Sequence, residues 1–326
     1  MSELNKRLFH LDVVCGLLII YMIAYHCSQW AHVADCSIAH VGSRLFFFFM
    51  PWFFFKSGMF LNPNKETLAV IKTSCRRLVV PFLQYTLIGY FFYCVLQYVD
   101  DKVNLHTLFV EPIKNMAYMG ACGCNLPLWF LLTLFVVRVA THFGAKDKVY
   151  LAILFITTGI GCFLLQYVGF ERPYYLANFC SGTFFFILGF VLKDVQYKKT
   201  FFYFSAILYF AMLIFHSAVD MFPNVLLAGE YSAWMVASIA GCVFFNNLFA
   251  RVGGSCFNIL ANIGKKSMFY YCVHWIILTI TCIVIKVGKV DLDGMGLFVF
   301  YLGMVFFSFS ILHLIRNCFA KWKANG

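Results

Sequence analysis

Leu11-Asp-Val-Val-Cys-Gly-Leu-Leu-Ile-Ile-Tyr-Met-Ile-Ala-Tyr-His-Cys-Ser-Gln-Trp30 decides the fold class, because the one fixed charge in these residues is Asp12. An α-helix rises about 1.5 Å per residue, so roughly 20 residues cover the roughly 30 Å hydrocarbon core of a bilayer. The run is too long for the apolar core of a secretion signal, and no small-residue cleavage site follows it. It reads as a retained first span.

Outward from this stretch, similar runs recur at 43–61, 78–98, 126–143, 149–169, 177–193, 200–220, 232–250, 267–286 and 295–315. Hydrophobic residues make up 62% of the chain and charged residues 12%, against about 25% charged in soluble domains, which excludes the soluble globular class. The strict alternation of a membrane barrel is absent, so the spans are helices. The expectation is an all-α polytopic protein of about ten transmembrane helices in one bundle. Residues 1–326 are expected to form a single membrane domain with no soluble unit attached.

The formal net charge of +11 could suggest nucleic acid, but no arginine-rich tail or aromatic-basic recognition motif is present. Its placement explains it better. Eighteen of the 25 Lys and Arg residues fall on the N-terminus, the even-numbered connections and the C-terminal tail. Six fall on the opposite face, and Lys56, inside its span, is assigned to neither. Positive residues collect in cytoplasmic loops, where they also meet anionic membrane lipids, so both termini are expected in the cytoplasm. Most of the fourteen cysteines sit in apolar runs as small hydrophobes. Cys122 and Cys124 offer too few ligands for a metal, and none is expected.

His26 lies about 20 Å from the cytoplasmic end of its helix, in the outer half of the bilayer. An ionisable ring there should face the bundle interior or a wet cavity. It is either a packed, hydrogen-bonded histidine or a proton-transfer group. The same two readings apply to His274, which lies deeper in the ninth span. Asp12 opens the first helix, where a carboxylate complements the helix dipole or orients a basic partner. Lys56 is close enough to its span end to snorkel, and His216 and His313 read as structural. The densest basic patch contains Lys72, Arg76 and Arg77. It satisfies the charge rule for a cytoplasmic helix entry and would equally suit a diphosphate-bearing ligand.

Six segments, in order, carry a family resemblance. They are Leu11-Asp-Val-Val-Cys-Gly-Leu17 through His26, Phe48-Phe-Met-Pro-Trp-Phe-Phe-Phe-Lys-Ser-Gly58 and Arg76-Arg-Leu-Val-Val-Pro-Phe82. Pro127-Leu-Trp-Phe-Leu131, Phe184-Phe-Phe-Ile-Leu-Gly189 and Ile263-Gly-Lys-Lys-Ser-Met268 through His274 follow. Together they resemble the acyltransferase family 3 of integral membrane acyltransferases. The resemblance implies a ten-helix enzyme in the cell membrane, typically the bacterial inner membrane. Such an enzyme takes an acyl group, usually acetyl, from cytoplasmic acetyl-CoA as co-substrate and needs no other cofactor. It passes the group to a hydroxyl of a cell-envelope or exported glycan, or of its lipid-linked precursor. The family's first-helix histidine is catalytic, and that role carries over to His26. The family usually places Arg or Lys eleven residues earlier, where this chain has Cys15. Lys6, Arg7 or the Arg76–Arg77 patch would compensate, or donor handling differs. Trp129, Tyr25 and Trp30 could stack on an acceptor sugar. A transporter or flippase of a glycan-type substrate is the rival class, and lipid, protein or small-molecule acceptors are further alternatives.

Overall fold

The computed structural model describes residues 8–33, 37–170, 172–215 and 217–325. Lys6, Arg7 and His216 lie outside them, as do the side chains of Arg316, Lys321 and Lys323. About 81% of the structure is helical, and it has the character of a polytopic all-α membrane protein. Among the described residues, eight helices are long and apolar enough to cross a membrane.

The first of these, α1, is the 22-residue helix Phe9–Trp30, with Asp12 in its first turn. The expected 43–61 span is instead two helices, α2 (Ser37–Phe46) and α3 (Phe49–Met59). Pro51 explains the restart, since its missing N–H is tolerated in the first turn of α3, where no intrahelical partner exists. α4 (Thr67–Ser74) runs through a π turn at Cys75–Val79 into α5 (Val80–Val99). The wide turn directly precedes Pro81, which cannot donate to the residue 77 carbonyl. α6 (Glu111–Met119) leads through a 3-10 turn, Gly123–Leu128, into α7 (Trp129–Gly144). α8 (Lys148–Tyr167) is capped by Asp147, whose carboxylate accepts the backbone N–H groups of Val149 and Tyr150. α9 (Tyr174–Leu192) and α10 (Lys199–Leu213) follow.

The expected 200–220 span ends early. α10 has 15 residues, about 22 Å of rise. Beyond it the chain turns back as an antiparallel hairpin of β1 (Ala218–Asp220) and β2 (Val225–Ala228). Asn224 and Gly229 both adopt positive φ here, a turn conformation that a continuing helix could not contain. An apolar run that includes Val219 and Met221 reads as helix by hydropathy, but Pro223-Asn224 and Gly229 break it. α11 (Tyr231–Val252), α12 (Asn258–Lys265), α13 (Ser267–Val287) and α14 (Gly294–Asn325) complete the bundle.

Two crossings fix the interior. A methyl group at Gly16 or Gly264 would strike the backbone carbonyl of Leu260 or Asp12, so α1 and α12 touch backbone to backbone. Gly58 and Gly189 do the same for α3 and α9, against the carbonyls of Phe186 and Phe55. Small residues permit this approach, and dispersion then acts over the whole seam. α8 and α14 keep mostly exposed apolar faces, as lipid-facing helices should, whereas about two thirds of α1 and of α11 is buried. A buried polar chain stitches α3 to α11. Trp52 Nε1 donates to Asn246 Oδ1 at 2.9 Å, and Asn246 Nδ2 donates to Gln196 Oε1 at 3.1 Å.

Connections of like parity meet. Lys65, Arg77, Arg138, Lys193 and Ser267 line one cavity, although they flank the second to ninth spans. At the other end Lys286 bonds Asp100, and Val33 packs on Gly294. This is the pairing that the charge pattern requires of an alternating bundle.

Candidate active site

α1 and α13 lie side by side, and each contributes one imidazole, half-buried at His26 and fully buried at His274. The rings of His26 and His274 stack at 5.2 Å between centroids, 22° from parallel. His26 Nδ1 is 2.9 Å from Gln29 Oε1, one helical turn on. An amide oxygen only accepts, so Nδ1 carries the proton and Nε2 keeps its lone pair. Gln29 is oriented in turn, because its Nε2 donates to the Tyr25 hydroxyl at 3.0 Å. His274 Nδ1 donates to the Tyr271 carbonyl at 2.7 Å, and its Nε2 is buried with no partner. Both rings thus hold a basic nitrogen free.

Aromatic rings line the way from this pair toward Trp30. Trp275 meets His26 edge-on at 5.3 Å, and Trp30 meets Trp275 at 5.4 Å. On the other side of His274 lies the Tyr271 ring, at 6.1 Å. Tyr271 also lines a cavity of about 1000 Å³. That cavity holds Lys56, Lys65, Arg77, Arg138 and Lys193, and among the described residues no carboxylate lines it. Arg138 lies close enough to Arg77 for the two charges to oppose each other, and its Nε is buried without a partner. Cys15, Ile19, Phe130 and Leu134 make the inner walls apolar.

A family model described as an acyltransferase domain, Acyl_transf_3, matches residues 9–315. The chain belongs to that family. No curated protein and no solved structure is significantly similar to it. The protein is therefore a multi-pass membrane acyltransferase, and family membership sets aside the transporter class.

Within that acyltransferase the residues named from sequence separate into groups. His26, His274 and Tyr25 meet at one centre, and Trp30 reaches it through Trp275. Asp12 is buried about 21 Å down α1 from His26, too far to touch the same reacting atoms. Trp129 is buried against Phe54 and Phe222, away from the imidazole pair. Arg77 enters the cavity. Lys72 and Arg76 instead line a separate shallow groove, which Arg77 also borders. Lys56 does not snorkel outward but lines the cavity, its ammonium 5.2 Å over the Trp52 ring. His313 Nδ1 lies 3.2 Å from Lys266 Nζ, remote from the centre. Cys15, at the usual basic position, lines the cavity too. Gln29, Tyr271, Arg138 and Lys193 were not singled out from sequence. The first two did carry a signal, being one helical turn from each histidine.

Proposed function

We propose that this enzyme takes an acyl group, acetyl in the first instance, from acetyl-CoA at the cytoplasmic face and passes it to a hydroxyl of a cell-envelope or exported glycan. The observation that carries the reading is the cavity: it gathers Lys56, Lys65, Arg77, Arg138 and Lys193, among the described residues no carboxylate lines it, Cys15, Ile19, Phe130 and Leu134 give it apolar walls, and Tyr271, which also lines it, has its ring 6.1 Å from that of His274. CoA is anionic at its nucleotide end and thin and apolar along its arm. Two opposed guanidiniums are unfavourable alone and favourable around a phosphate, where Arg forms bidentate hydrogen bonds.

The acceptor hydroxyl enters from the Trp30–Trp275 side, and those rings offer a stacking surface for a sugar. His26 Nε2 accepts its proton as the oxygen attacks the thioester carbon. Gln29 holds the ring and fixes the tautomer. Collapse of the tetrahedral intermediate breaks the C–S bond, and the proton passes to the departing thiolate. The apolar walls limit competing hydrolysis.

The test is thiol release from acetyl-CoA by purified enzyme, supplied with native envelope membranes as the source of acceptor. His26→Ala should abolish release while leaving CoA affinity within a factor of two. Activity of His26→Ala within a factor of two of the parent would remove His26 as the base. Orientation is tested by labelling single cysteines at 62–66 in intact cells, where labelling from outside would reverse the assignment.

A further inference from the structure

Tyr271 lines the cavity, and its hydroxyl is buried, lies near the Phe130 backbone N–H and has no acceptor for its own proton. A buried hydroxyl normally finds a partner, and leaving one unpaired forfeits its hydration without return. Its place is well fixed. The ring packs edge-on against Phe130 at 5.7 Å, in the first turn of α7, and lies 6.1 Å from His274. The Tyr271 carbonyl accepts from His274 Nδ1, so side chain and backbone of one residue serve the same corner. Phe130, which packs on Tyr271, lies eight residues, about 12 Å, along α7 from Arg138, one of the cations lining the same cavity. A ligand anchored by phosphates at those cations would carry its far end to this hydroxyl.

Resting on the acyl-transfer reading above, we infer that Tyr271 is a catalytic residue whose O–H donates to the thioester carbonyl oxygen of the donor. During transfer the acceptor oxygen bonds to the carbonyl carbon, and the carbonyl π electrons move onto its oxygen. The Tyr271 O–H hydrogen bond strengthens as that charge grows, and the phenol keeps its proton throughout. When the C–S bond breaks, the electrons return to the carbonyl, and the thiolate takes the proton that the imidazole had accepted. The orphaned donor of the empty enzyme is therefore satisfied in the reacting complex. A donor placed in advance, where water is excluded, is the arrangement that stabilises an oxyanion most.

Tyr271→Phe removes the hydroxyl and keeps the ring packing. Its expected effect is a fall in kcat of about 100- to 1,000-fold, with KM for acetyl-CoA and Kd for CoA within a factor of three of the parent. A packing role would instead move Kd or thermal stability. 3-Fluorotyrosine at 271, with a more acidic hydroxyl, should restore most of the lost rate. The same assay carries His26→Ala. If His26→Ala is inactive while Tyr271→Phe keeps kcat within threefold, this inference is overturned and the acyl-transfer reading stands. If the parent releases no more thiol than His26→Ala, the acyl-transfer reading falls and takes this inference with it. A Tyr271→Phe variant that binds CoA as the parent does, and regains its rate with fluorotyrosine, supports it.

Discussion

Replacing single arginines around the cavity separates a donor site from a charge pattern that serves topology alone. Arg77 and Arg138 share the cavity, whereas Arg76 lines only the neighbouring groove. A charge-assisted hydrogen bond contributes about 1.5–3 kcal/mol, so Arg77→Gln or Arg138→Gln should weaken CoA binding by roughly 10- to 150-fold. Arg76→Gln should change it by less than about twofold. The empty protein should respond in the opposite sense. Removing one of two opposed guanidiniums relieves repulsion, so Arg138→Gln should melt no lower than the parent without ligand. Ligand-induced stabilisation should shrink. At CoA equal to 100 times the parent's Kd, the parent gains about 2.7 kcal/mol, and a variant 30-fold weaker gains below about 1 kcal/mol. Titration calorimetry and thermal melting of detergent-purified protein, with and without CoA, read both effects. Equal losses in Arg76→Gln and Arg77→Gln would refute the reasoning, since net charge and not the cavity would then set affinity. Unchanged affinity in all three would remove the cations from donor binding altogether.

Gln29→Leu should lower kcat about 10- to 100-fold with little change in CoA affinity, because the His26 tautomer and ring angle lose their partner; a rate within twofold of the parent in the thiol-release assay would count against it. Gly189→Ala drives a methyl group into the Phe55 carbonyl, and overpacking of about 1–3 kcal/mol should lower the melting midpoint by about 2–6 °C. An unchanged midpoint would show that α3 and α9 can separate freely. In the hairpin, burial pushes the Asp220 carboxyl up to about 6, against the opposing effect of the Phe222 N–H. An acid whose folded pKa is raised favours folding while protonated, and that contribution is lost as pH rises through about 6. Asp220→Asn should therefore raise the midpoint at pH 7.5 and do so less at pH 4.5; an equal gain at both would contradict the assignment.

What the sequence disclosed follows the strength of each physical signal. Lipid demands long apolar helices, so the spans around Leu11–Trp30, Lys148–Tyr167 and Ser267–Val287 were plain. The two misread regions are those where hydropathy and local geometry disagree. Residues 45–55 are apolar throughout, yet the helix restarts at Phe49 just before Pro51, and Ala218 and Val219 are apolar yet belong to a hairpin. His26 was legible because an imidazole in a span is costly. Gln29 and Tyr271 were not, because an amide or a phenol in a span is ordinary until its partner, or its lack of one, is seen. The cations of the cavity were visible as charges, but the same rule that oriented the chain accounted for them equally well. Only the folded bundle separates Arg77 from Arg76.

α1 carries Cys15 on the cavity wall and His26 at the imidazole pair, eleven residues or about 16 Å apart on one rigid helix. A single rod thus reaches both compartments, and its contact with α12 through Gly16 and Gly264 leaves little room to swing. No rocking motion is needed to deliver the product. Under the proposed reaction the nucleotide would stay on its own side and the acceptor on the other, with only the acyl fragment changing hands at the plug of rings between them. The membrane potential can then persist through every turnover, and vesicles holding the enzyme should leak protons no faster during catalysis than at rest.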